Sequence, residues 1–169
     1  MNKRDHVLNA VLLGIGLGFV AHPAGDLQTV TTVAAVLVPV LLGALLPDVD
    51  TELGHHRKTL HNVFVLAVLY GYTAVFANLA FVWIGVVTHL VLDVLGTRRG
   101  VAFLYPFWDA ELGLPVGVPT DSAYATFVTL VVTGLELAAA AALLHSFPGV
   151  LGLVDAPSRL SALAGTVGV

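Results

Sequence analysis

Leu46-Pro47-Asp48-Val49-Asp50-Thr51-Glu52-Leu53-Gly54-His55-His56-Arg57-Lys58-Thr59-Leu60-His61 interrupts a chain that is otherwise almost continuously apolar. Carboxylates, imidazoles and two cations crowd into this one passage between hydrophobic runs. Such an interruption reads as a segment at a membrane surface, with the apolar runs on either side crossing the bilayer as helices. A second polar pair lies in Gly85-Val86-Val87-Thr88-His89-Leu90-Val91-Leu92-Asp93-Val94-Leu95-Gly96, where His89 and Asp93 stand four residues apart and share one face of a helix. An imidazole and a carboxylate wedged among Val and Leu need partners, and the 46–61 passage can supply them.

Composition supports the membrane reading. The 169 residues are 57% hydrophobic and only 11% charged, with a mean hydropathy of +0.93. Soluble domains carry about 25% charge, and this length suits one polytopic domain. Without cysteine there is no disulfide framework and no thiolate ligand, so any metal must be held by imidazole and carboxylate. The net charge of −4, with no basic run, excludes direct nucleic-acid binding.

Outward from the polar passage, the expected fold is all-α, a polytopic transmembrane helical bundle of about five spans. Met1 to His6 reads as a short polar start, and Val7 to Ala21 as the first span, with Gly14 and Gly18 as a small-residue pair for close packing. Leu27 to Leu46 is the second span, containing Pro39. Pro47 biases Leu46 away from helical conformation, so the helix should end where the carboxylates begin. An extended Asp48-Val49-Asp50 would then point both carboxylates the same way, about 7 Å apart.

Asn62 to Gly96 is too long for one crossing and suits two short ones, turning near Ala77-Asn78. Thr97 to Ser122 is a loop whose Phe103, Tyr105, Phe107 and Trp108 suit the headgroup zone. Ala123 to Leu144 is the last span, with Glu136 near its middle read as a structural hydrogen-bonding group. Residues 1–146 thus form an integral membrane helical domain, and 147–169 a C-terminal tail compatible with an interfacial helix.

Charge sets the expected orientation. With the N-terminus cytoplasmic, Lys3, Arg4, Arg57, Lys58, Arg98 and Arg99 all fall on the cytoplasmic side, leaving only Arg159 in the tail. The positive start and apolar run also fit a signal peptide, but cleavage would remove His6 and spoil this pattern. The same layout gathers His6, Asp48, Asp50, His55, His56, His61, His89 and Asp93 at one membrane face, while His22 and His145 fall on the other.

Taken singly, each polar residue has an ordinary explanation: His6 beside Asp5 as a helix cap, Arg57 and Lys58 as topology determinants, Asp-x-Asp as a turn. Their convergence matches the ligand inventory for Zn²⁺, Mn²⁺ or a two-metal centre.

The order of motifs resembles the inner-membrane-associated metal-dependent hydrolase family of bacteria and archaea, which includes a member described as LexA-binding. The matching elements are His6; Leu46-Pro47-Asp48-Val49-Asp50; His56-Arg57-Lys58-Thr59-Leu60-His61; Gly85 through Asp93; and Gly100-Val101-Ala102-Phe103-Leu104-Tyr105-Pro106-Phe107. Many members carry threonine just before the second histidine of the third motif. Here that position is Leu60, with Thr59 one earlier, so no role is carried over for it. LexA binding is not carried over either, since nothing marks a protein-docking surface.

The resemblance implies hydrolysis. The expected site therefore holds one or two divalent metals, Zn or Mn, on Asp48, Asp50, His56, His61, His89 and Asp93, with His6 as a further ligand. Water activated by the metal would attack a phosphoester, ester or amide, and Arg57 would be catalytic, stabilising the developing anion. Membrane lipid is the expected partner and a lipid-linked or phosphoester molecule the simplest substrate. The alternative is a non-enzymatic metal-binding or ion-handling membrane protein, whose polar cluster is structural. The His89-x-x-x-Asp93 spacing also resembles the last motif of phosphatidic-acid-type phosphatases, whose other motifs are missing. Oligomeric state is not fixed by the sequence.

Overall fold

Asn2 and Asp5 start the first helix. The Asn2 side-chain oxygen accepts from the Asp5 backbone N–H at 3.0 Å and the Asp5 carboxylate accepts from the Asn2 N–H at 3.1 Å, a reciprocal capping box. Helix α1 consequently runs Lys3–Ala21. The polar start expected over Met1 to His6 is thus helical from Lys3 onward, Asn2 takes the capping place, and His6 is buried within the bundle. These features belong to a computed structural model that describes residues 1–76 and 79–147.

Helix α2, Leu27–Leu45, begins at Asp26, which accepts from the Thr29 N–H at 3.0 Å, and continues unbroken through Pro39. Leu46 does not leave helical space: its φ of −62° and ψ of −45° are those of an α-helix. Pro47 lacks a donor where a new helical start leaves donors unpaired anyway. It therefore opens a 3-10 turn, Pro47–Val49, which leads directly into the one-turn helix α3, Asp50–Leu53. The extended Asp48-Val49-Asp50 geometry is thereby corrected. Residues two apart on a helical path do not face each other, so Asp50 is buried while Asp48 is partly exposed.

Helices α4 (Val63–Phe76), α5 (Val82–Gly96) and α6 (Ala125–Ser146) complete an all-helical architecture. Among the described residues the chain has isolated bridges, Val101 with Leu112 and Thr97 with Val118, but no strand. Helices α1, α2 with its continuation to Glu52, and α6 are long and apolar enough to cross a membrane; α4 and α5 are shorter and equally apolar. The turn expected near Ala77-Asn78 lies outside the described residues, as does the tail from residue 148.

Small residues let the helices approach. A Cβ at Gly14 would lie 2.8 Å from the Leu37 Cα, joining α1 to α2. Gly43 and Gly85 mark the α2–α5 crossing, where a Cβ on the first would collide with the Val82 carbonyl and one on the second with the Val40 carbonyl. Ala10, Val36, Val40, Ala44 and Phe81 form the core between α1, α2 and the start of α5.

Polar side chains fasten α6 to α1 and α5. The Glu136 carboxylate accepts from the Thr88 hydroxyl at 2.6 Å and from the Asn9 amide at 2.9 Å, and that amide also donates to the Thr133 hydroxyl at 3.0 Å. Four residues of α1, α5 and α6 thus satisfy one another away from water. The up-and-down path brings the start of α1, the end of α2, the start of α4 and the end of α5 together at one end of the bundle.

Candidate metal centre

His61 and His89 meet at that end. The His61 ring presents Nδ1 to the Asp50 Oδ2 atom at 2.8 Å, and the His89 ring presents Nδ1 to the Ala44 carbonyl oxygen at 2.7 Å. Carboxylate and carbonyl oxygens only accept, so in each ring Nδ1 carries the proton and Nε2 keeps a lone pair. The two Nε2 atoms face each other at 3.0 Å. A hydrogen bond between them would need one ring to become an imidazolium. Burial opposes this by holding the His61 pKa below the ordinary histidine value, against the Asp50 hydrogen bond that raises it.

Two lone pairs directed at one point repel, and a shared positive centre would relieve that repulsion. The Asp93 Oδ2 atom stands 3.6 Å from His61 Nε2 and 3.7 Å from His89 Nε2, and Asp48 Oδ1 stands 3.8 Å from His89 Nε2. His6 stacks on His89 with ring centroids 3.7 Å apart and planes 10° from parallel. Both His6 nitrogens are buried without a hydrogen-bond partner among the described residues, and Nε2 lies 3.3 Å from Asp93 Oδ1. A buried imidazole left unpaired is costly. His6, His89 and Asp93 each offer a ligand atom within 4.8 Å of one another, and so do Asp48, His56 and His61. The first group is fully buried and the second partly open; each could hold a metal ion, and nitrogen with carboxylate oxygen suits a divalent transition ion.

Asp50 occupies a different place from the other carboxylates. It is fully buried, with Oδ1 3.0 Å from His56 Nδ1 and Oδ2 bound both to His61 Nδ1 and to the Leu60 N–H. Both oxygens are thereby used in orienting the two rings, so that Nε2 of each is left free to bind. Of the two exposed members of the cluster, the His56 side chain is 38% accessible and that of Asp48 20%. His55 is exposed; its N–H donates to the Thr59 hydroxyl, and its ring belongs to neither ligand group.

Arg57 is buried at a φ of 66°, a conformation costly for any residue but glycine. Its surroundings hold it there. Nη1 donates to the Thr97 hydroxyl at 3.1 Å and the Arg99 carbonyl at 3.0 Å, and the Ala102 N–H donates to the Arg57 carbonyl at 3.2 Å. Nη2 reaches Asp93 Oδ1 at 3.3 Å, and the Met1 amino nitrogen reaches the same oxygen at 2.8 Å. The guanidinium therefore ties the passage after α3 to the loop after α5 and faces the carboxylate of the cluster.

All of the residues singled out from the sequence, namely His6, Asp48, Asp50, His56, Arg57, His61, His89 and Asp93, lie in this one region. Three contributors were not singled out from the sequence. The Ala44 carbonyl is backbone; Thr97 acts through Arg57; and Asn62 shapes the turn, donating to the Lys58 and Thr59 carbonyls while its Oδ1 accepts from the Phe64 and Val65 N–H groups. Asparagine just before an apolar run is an N-cap signal that could have marked Asn62.

The family model of the YdjM inner membrane protein matches residues 1–155. The chain belongs to that family, which meets the expectation of an inner-membrane family drawn from the motifs and agrees with the membrane location indicated by the apolar helices. No curated protein and no solved structure matches the chain.

Proposed function

We propose that this member of the YdjM inner membrane protein family is a membrane-embedded metal-dependent hydrolase, with its centre at the cytoplasmic interface. The observation that carries the reading is the 3.0 Å approach of His61 Nε2 to His89 Nε2, each ring having its proton committed on the far side. His6, His61, His89 and Asp93 would hold one divalent ion, Zn or Mn, and Asp48 with His56 would complete a second position. Bound there, the ion would act as a Lewis acid and acidify water for attack on a phosphoester, ester or amide.

The chain's own residues divide the remaining work. Asp50 and the Ala44 carbonyl fix the imidazole tautomers, and the Arg57 guanidinium offsets the charge of Asp93. Because Arg57 is buried, with Nη1 engaged by Thr97 and Arg99 and Nη2 turned to Asp93, we assign it to positioning in place of the anion-stabilising role first expected. With only the inner ion bound, Asp48, partly exposed at the rim, is the group able to take the proton from an attacking water. The burial of His6, His89 and Asp93 favours a second reading in which the inner position is closed and structural, since a catalytic ion needs an open coordination site; His56 and Asp48 supply the opening on the first reading.

The test is metal analysis of detergent-purified protein by mass spectrometry, beside a His61→Ala, His89→Ala double variant. One or two equivalents of Zn or Mn, lost in the variant, are expected, followed by hydrolysis of lipid phosphoesters or esters that chelation abolishes and added metal restores. Metal at background level after reconstitution would overturn both readings. Bound metal without hydrolysis across the ester, phosphoester and amide panel would favour the structural one.

A further inference from the structure

Helices α4 and α5 diverge enough to leave a groove, in two continuous stretches of about 270 and 330 Å³ that share Val63, Leu66 and Val87. One end lies between Val94, Leu95 and Phe103. Val94 follows the cluster residue Asp93 in the chain, and Val63 stands two residues after His61. The other end is closed by Tyr70 and Trp83, whose rings meet edge to face at 5.5 Å. From Trp83 to Leu95 along α5 the groove runs roughly 18 Å at 1.5 Å per residue, about the depth of one leaflet of a hydrocarbon core ~30 Å thick.

The lining excludes most occupants. Only apolar or aromatic side chains face it, so an extended peptide would leave its backbone N–H and C=O groups unpaired. A helix, about 10 Å across with its side chains, is too wide for spaces of this volume. A hydrocarbon chain has neither difficulty.

We propose that the α4–α5 groove receives one acyl chain of the lipid on which the His/Asp centre acts, so that the substrate class is an acylated amphiphile and not a soluble ester. This rests on the hydrolase reading above. At its Phe103 end the groove meets backbone tied to the polar passage, since the Val63 N–H donates to the Phe103 carbonyl and the Ala102 N–H to the carbonyl of Arg57, which follows His56; a chain lying in the groove would thus carry its polar end toward that passage. Ala67 is the smallest lining residue, and a larger side chain there obstructs the groove without touching the cluster.

The experiment uses the full chain in nanodiscs that contain a trace of phospholipid with a diazirine at the end of one acyl chain, with photo-crosslinks mapped by mass spectrometry. Labelling of Leu66, Ala67, Val87 and Val91 at least fivefold above the lipid-facing Leu135 and Leu143 of α6 is expected, with that excess lost in Ala67→Phe. Even labelling of all lipid-facing helices, an Ala67→Phe pattern equal to wild type, or crosslinks from the groove to a second copy of the chain would each overturn the proposal. Metal content measured on the same samples separates the two failures. Groove labelling without metal would remove the hydrolase reading and with it the substrate assignment, leaving a groove that binds lipid, whereas bound metal with even labelling would remove the groove alone.

Discussion

Asp50 shows at residue scale how one carboxylate can orient two imidazoles of a candidate metal site. Each of its oxygens faces one imidazole Nδ1, at 3.0 Å for His56 and 2.8 Å for His61. Asp50→Asn is therefore expected to weaken metal binding by roughly 10- to 100-fold, measured by competition with a chelating dye, while leaving the helical circular dichroism unchanged. His61 also links the site to pH. Its folded pKa lies below the ordinary value of 6.5, chiefly through burial. As the pH falls below about 6.5 the unfolded chain takes up a proton that the folded chain does not. Stability of the metal-free protein is thus full above that pH and declines below it, by up to about 1.4 kcal/mol per pH unit. Denaturant unfolding at pH 7.5 and pH 5 checks the sign, and His61→Gln should reduce the difference. The sequence made the polar character of this region legible because four imidazoles and three carboxylates stand out in an apolar chain. It did not reveal that Asp50 looks inward and Asp48 outward, because that depends on Pro47 continuing a helical path.

At the scale of elements, the crossing of α2 and α5 sets the site, since the Ala44 carbonyl on one helix orients His89 on the other. Gly43 and Gly85 make that crossing possible, and backbone cannot move aside for a methyl group as a side chain can. Gly85→Ala should cost about 1–3 kcal/mol and lower metal content together with stability. Gly71→Ala and Gly134→Ala, where an added Cβ meets nothing within 4 Å, should be neutral or slightly stabilising. Thermal unfolding in detergent compares the three. Hydropathy gave the apolar runs and hence the five principal helices, but their ends were less legible. Capping by Asn2 moved the start of α1 back to Lys3, and the helical Leu46 extended α2 into the polar passage. Glu136, read as a structural group, is satisfied by Asn9 and Thr88 on two other helices; no spacing within α6 could name those partners.

For the whole molecule, the arrangement of basic residues leads us to place the N-terminus and the centre on the cytoplasmic side. The absence of cysteine allows a clean test: a single cysteine introduced at exposed Lys3 should resist a membrane-impermeant maleimide in intact cells and react once the membrane is opened, and one at exposed Asp26 should do the reverse. The lengths of the helices lead further. The α4 helix has 14 residues and α5 has 15, roughly 21 and 22 Å at 1.5 Å per residue, whereas the hydrocarbon core is ~30 Å thick. Such mismatch costs fractions of a kcal/mol per Å and is relieved when the surrounding bilayer thins. The side of the protein that carries these two helices would therefore pinch the membrane and draw headgroups down toward His56 and Asp48. Bilayer thickness then becomes a control on access to the centre, rising in short-chain membranes and falling in long-chain ones.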